Sequence, residues 1–122
     1  MSTAVLLLAH GSRENDTEKT MEQIRDYVKS ELNLELVEEA YLQFRHMNLE
    51  RGLMNLVDKG ATDIKIIPYF LFEGVHIKED IPAEIDAFLQ KHPGVKVTLG
   101  HTLGPDKRLA MVAADRVREI LN

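Results

Sequence analysis

LLLAHGSREND, Leu6 to Asp16, passes from an unbroken apolar run to charge across a histidine, a glycine and a serine. The run from Ala4 to Ala9 does not alternate, so the strand it predicts is covered on both faces, as in the middle of a parallel sheet. A helix follows. Thr17, Met21, Ile24 and Val28 recur at helical spacing, which predicts a helix from about Glu14 to Leu32 laying one apolar stripe on that sheet. His10 therefore stands at the carboxyl end of a central strand, with Gly11 beside it to let another molecule approach the backbone.

The same alternation continues along the chain. LELVEEAYL, Leu34 to Leu42, mixes apolar and acidic residues and reads as a strand at a sheet edge. Leu49, Leu53, Leu56 and Val57 mark a helix that stops near Lys59-Gly60. DIKIIPYFLF, Asp63 to Phe72, is a second continuously apolar run whose regular part ends near Ile67, because Pro68 cannot donate to a ladder. The helix after it carries Ile81, Ile85, Phe88 and Leu89, with Asp80 read as its cap and Pro82 in its first turn. VKVTLG, Val95 to Gly100, alternates like an edge strand. A last helix, Pro105 to Leu121, puts Leu109, Val112, Ala113, Val117 and Ile120 on one face.

Strand and helix alternate throughout, which predicts a parallel sheet with helices on both faces. With the two apolar strands central and the two amphipathic ones at the edges, the order is 2-1-3-4, a flavodoxin-like α/β arrangement with its switch point between strands one and three. Ligands bind at such points. Neighbouring strands lie about 4.8 Å apart, so His10, ending strand one, and His76, in the segment after strand three, are expected over one crevice.

The 122 residues suffice for one domain, taken as 1–122, and carry a net charge of −5. That balance argues against a broad nucleic-acid footprint. The chain has no cysteine, which excludes disulfides, thiolate metal sites, iron–sulfur clusters and thiol nucleophiles. The short apolar start lacks a basic flank and is neither a signal peptide nor a membrane span, so a cytoplasmic location is expected. No G-x-S-x-G elbow, H-E-x-x-H helix or phosphate-binding glycine loop is present, and no nucleotide is expected.

Two neutral imidazoles suit an open transition-metal site, or a base poised near neutral pH, better than a closed structural zinc site. Glu73, Glu79 and Asp80 flank His76 and are candidates to orient it or to accept protons. Arg13 is a candidate for a substrate carboxylate, and Ser12 a candidate helix cap. Tyr69, Phe70, Phe72 and Val75 are candidate pocket wall. His101 closes strand four on the same side as His10 but further out; His46 and His92 read as surface residues.

At these residues the chain resembles the short sirohydrochlorin chelatases of the CbiX and SirB type. LLLAHGSR is similar to that family's opening, IIPYFLFEGVHIKEDIP to its second signature, and LGPDKRLAMVAADRVREIL to its closing helix. The resemblance implies one half of a two-domain chelatase fold and a homodimer that rebuilds the double-domain cleft. It implies ATP-independent insertion of a divalent metal, Co²⁺ first and Fe²⁺ or Ni²⁺ next, into the tetrapyrrole sirohydrochlorin for cobalamin, siroheme or coenzyme F430. It places the metal on His10 and His76; the residues read on their own add Glu79 as the candidate proton acceptor and Ser12, Arg13, Tyr69, Phe72 and Val75 as candidates around the macrocycle. Many relatives carry a glutamate and a proline after strand two, where this chain has Gln43 and Met47. Sirohydrochlorin bears eight carboxylates, so Arg13, Arg45 and Lys78 are expected near the cleft. The alternative reading is a non-catalytic metal or tetrapyrrole carrier using the same crevice.

Overall fold

Residues 2–121 are described by the structure, a computed structural model, with the side chain of His76 outside that description. The elements run β1 (Thr3–Ala9), α1 (Asp16–Leu32), β2 (Val37–Tyr41), α2 (Leu49–Asp58), β3 (Asp63–Pro68), α3 (Val75–Lys91), β4 (Lys96–Leu99) and α4 (Lys107–Ile120). The sheet order is β2-β1-β3-β4, all pairs parallel. Every residue from Ala4 to Ala9 is buried, as an unalternating central strand requires.

The pleat of β1 divides the core in two. Ala4, Leu6 and Leu8 face α2 and α3, meeting Leu53, Leu56, Ile81 and Ile85. Val5, Leu7 and Ala9 face α1 and meet Met21 and Tyr41. A Cβ on Gly52 of α2 would stand 2.9 Å from the Cβ of Ala40, so this glycine lets α2 approach the sheet closely.

Three expectations change. First, α3 starts at Val75 on Gly74, an extended residue, rather than at Asp80. Nothing between Gly74 and Asp80 breaks a helix, and the amide of Lys78 donates to the Gly74 carbonyl at 3.1 Å. His76 thus belongs to the first turn of a helix, and Pro82 lies inside it, where it removes one backbone donor. Second, Ser12 is not the cap of α1. The cap position is Asn15, without a side-chain bond, while the Ser12 hydroxyl bonds the Thr17 hydroxyl and accepts from the Glu14 amide at 3.1 Å. Third, α4 does not lay its stripe on the sheet: it buries none of its side chains, and neither core cluster contains an α4 residue. Among the described residues no helix is long and apolar enough to cross a membrane.

Candidate active site

Beyond their carboxyl ends, β1, β2 and β3 remain tied together. The Leu42 amide donates to Ala9 O at 2.9 Å, the Gln43 amide to His10 O at 3.1 Å, and the Tyr69 amide to Leu8 O at 2.7 Å. His10 is therefore held at the β1–β3 switch point by its own bond to Gln43 and by the bond from Tyr69 to Leu8 two residues before it. Gly11 makes this possible. Its φ is +87°, and a Cβ there would stand 2.1 Å from the Gln43 carbonyl oxygen.

The exposed His10 ring packs against Phe70, with centroids 4.0 Å apart and planes tilted by 39°. Together they line a cavity of about 680 Å³. Leu42, Gln43, Leu71 and Phe72 form more of its wall, and α3 contributes Ile77, Asp80, Ile81 and Glu84. Gly74 and Ile77, on either side of His76 in sequence, both line the cavity, so the first turn of α3 borders it. The side chain of His76 lies outside the described residues.

The predicted site residues are thus sorted. His10, Phe72 and Asp80 line the cavity, whereas Glu79 and Val75 are exposed and do not. Tyr69 is a correction: it packs with Val5 and Leu7 on the α1 face. Strand alternation continues through the bend at Pro68, so Phe70 turns toward the cavity and Tyr69 away from it. Arg13 lies over the Phe44 ring, 4.7 Å from its centroid, and Arg45 is committed to Ser12 O at 3.0 Å and to Glu18 at 3.1 Å. Lys78 is exposed. His101 stands 3.9 Å from Glu73, and His92 stacks on Phe88 at 4.4 Å.

Glu84 is the residue that the sequence reading missed. Burial, then the neighbouring Asp80 and Glu50 carboxylates, push its carboxyl up from the ordinary value. Asp80 and Glu84 are four residues apart on one face of α3; a helix read as starting at Asp80 keeps Glu84 but gives it no partner on the cavity side. Among the described residues no three His, Asp or Glu side chains gather tightly enough to hold a metal ion. Around His10 the cavity instead offers one imidazole, two carboxylates and a broad apolar wall.

A parallel α/β sheet with a histidine at its switch point defines a ligand-binding domain of the doubly wound class. Within that class the chain belongs to the CbiX family, whose signature matches residues 4–120. It is 31% identical over 116 residues to the sirohydrochlorin ferrochelatase of Priestia megaterium, covering 95% of this chain and 44% of that protein. It is 32% identical over 124 residues to a sirohydrochlorin cobaltochelatase of Saccharolobus islandicus, covering 97% and 95%. Among solved structures, the sirohydrochlorin chelatase SirB from Bacillus subtilis subspecies spizizenii in complex with cobalt superposes with a TM-score of 0.89 at 27% identity, covering 98% of this chain and 51% of that one. The chain thus spans about half the length of the Priestia and Bacillus relatives.

Proposed function

We propose that this protein inserts a divalent metal ion into sirohydrochlorin, without a nucleotide, in the cytoplasm and as a homodimer whose second copy supplies the other half of the cleft. The observation that carries the reading is the roughly 680 Å³ cavity at the β1–β3 switch point, with His10 against Phe70 on one side and Asp80 and Glu84 on the other. Relatives named for iron and for cobalt support metal insertion, and the cobalt-bound SirB structure supports Co²⁺ as the first metal to test.

Metallation exchanges two pyrrole protons for one M²⁺ and releases both protons. A neutral imidazole, borderline in softness, holds such an ion without trapping it. His10, which lines the cavity, is the proposed metal ligand, and His76, in the adjoining first turn of α3, its proposed partner. Proton removal needs a base near the cavity whose basicity approaches the working pH. Glu79 is the carboxylate that the sequence favours; Asp80 and Glu84 are the ones lining the cavity, and of these Glu84 is the one whose carboxyl is shifted upward. Phe70 and Phe72 offer the flat apolar wall that a macrocycle requires, and Arg13, three residues after His10, is proposed for its carboxylates.

The test is turnover. Purified protein is mixed with sirohydrochlorin in large excess and Co²⁺, Fe²⁺ or Ni²⁺, and the macrocycle spectrum is followed. Many equivalents metallated above the uncatalysed rate are expected. A spectral change that stops at one equivalent per site would identify a carrier and overturn the catalytic reading.

A further inference from the structure

Phe44 stands in a backbone conformation that its side chain does not favour. Its φ is +65°, in the left-handed region where a β-carbon crowds the following carbonyl and glycine is the usual occupant. Burial does not account for the ring, which is half exposed and belongs to neither core cluster. A strained residue whose side chain adds nothing to the core is kept for what that side chain does locally. Here the ring meets Arg13, whose guanidinium carbon lies 4.7 Å from the ring centroid.

The two residues belong to the loops after β1 and β2, which are laced together. The Gln43 amide donates to His10 O at 3.1 Å, the Arg45 guanidinium donates to Ser12 O at 3.0 Å, and Phe44, between Gln43 and Arg45, meets Arg13. The two arginines are used differently. Arg45 is largely buried and commits its donors to Ser12 O and to Glu18. Arg13 is exposed, and no carboxylate or carbonyl among the described residues accepts from it. An aromatic face attracts a guanidinium without needing its N–H donors as a hydrogen-bond acceptor would, so Arg13 keeps its planar fork for a ligand. His10 and Gln43, tied to each other beside this pair, both line the cavity.

We propose that Phe44 is a positioning residue: its ring holds the Arg13 guanidinium ready for a carboxylate of the macrocycle. The proposal rests on the chelatase reading above and adds the residue through which Arg13 acts. A long, exposed arginine loses rotamer freedom when a ligand fixes it, and a platform that fixes it beforehand removes part of that loss from binding. Because the stack bears on where the substrate sits and not on the metal or the proton acceptor, it governs KM more than kcat.

The experiment measures kcat and KM for sirohydrochlorin, with Co²⁺, in the parent, Phe44→Leu, Phe44→Tyr, Arg13→Gln and the double variant Phe44→Leu with Arg13→Gln. Losing an exposed cation–π contact is expected to raise KM about two- to fivefold in Phe44→Leu at unchanged kcat, and Phe44→Tyr, which keeps the ring, is expected to restore the parent KM. The double variant is expected to match Arg13→Gln alone, since a platform has nothing to hold once the guanidinium is gone. An unchanged KM in Phe44→Leu, or a double variant in which the two effects multiply, would overturn the proposal. Phe44→Gly separates positioning from folding: it relieves the left-handed strain and removes the ring, so a thermal midpoint at or above the parent's is expected together with the raised KM. A parent KM in that variant would also overturn the proposal. A parent that turns nothing over would sink the chelatase reading instead; the stack is then read by titrating sirohydrochlorin against each variant and following the macrocycle spectrum. Weaker binding by Phe44→Leu, by about the same two- to fivefold, would support the stack, and unchanged binding, or none by the parent, would overturn it.

Discussion

Gly11 shows how one residue couples fold to site. Its left-handed backbone and the 2.1 Å gap to the Gln43 carbonyl leave no room for a side chain. Gly11→Ala is expected to destabilise the protein by about 1–3 kcal/mol from the backbone conformation alone, read as a lower urea midpoint, and to displace His10 from the cavity. Tyr41 makes a different case. Its buried hydroxyl has no hydrogen-bond partner among the described residues, and burial, followed by the Glu39, Glu18 and Glu22 carboxylates, pushes it up to about 12. Between the ordinary tyrosine range near pH 10 and that value the unfolded chain loses a proton that the native protein keeps, so stability falls as pH rises. Tyr41→Phe is expected to be neutral or slightly stabilising at pH 7 and to flatten the alkaline loss, checked by urea midpoints from neutral to strongly alkaline pH. In the cavity, His10→Ala is expected to lower metal insertion by about 10²-fold or more without moving the melting temperature. Glu84→Gln is expected to flatten the pH profile of insertion and Glu79→Gln to leave it unchanged; the reverse result would return the base to Glu79.

At the scale of the element, α3 carries the larger lesson. The apolar positions Ile81, Ile85 and Phe88 place its buried face correctly, yet Pro82 suggests a start near Asp80, since proline fits the first turn of a helix best. The helix instead begins at Val75, on Gly74, and tolerates Pro82 in its interior, which brings Gly74, Ile77, Asp80 and Glu84 to the cavity wall. An interior proline costs a helix about 3 kcal/mol relative to alanine, partly offset by the stiffer unfolded chain. Pro82→Ala is therefore expected to stabilise the protein by about 2 kcal/mol, measurable as a higher thermal midpoint. For α1, the Arg25 guanidinium reaches Glu39 of β2 at 3.1 Å. Burial pushes the Glu39 carboxyl up, while Asp26 and Glu39 together raise Arg25 despite its own burial, so the pair's gain is offset on the buried Glu39 side and its clearer effect is to orient α1 over the sheet.

At the scale of the whole molecule, the single unit is unevenly clothed: α2 and α3 cover one face, α1 covers part of the other, and α4 stands apart. If the chain works as the proposed homodimer, folding and association are linked, and the thermal midpoint is expected to rise with protein concentration. Unfolding curves over a hundredfold concentration range check this; coincident curves would count against a linked dimer. The sequence by itself determined the alternation of strands and helices, the 2-1-3-4 order and the position of His10 at a switch point. Those features follow from local period and from whether a strand is apolar on one face or two, and the chain carries that information residue by residue. Only the tertiary structure decided that Tyr69 turns away from the cavity, that Glu84 turns toward it, and that the stripe from Leu109 to Ile120 finds no cover on its own sheet. An apolar stripe records that a face must be covered, and the identity of its cover depends on where the preceding turn sends the chain, which for α4 is set by Leu103, Gly104 and Asp106 acting together in three dimensions.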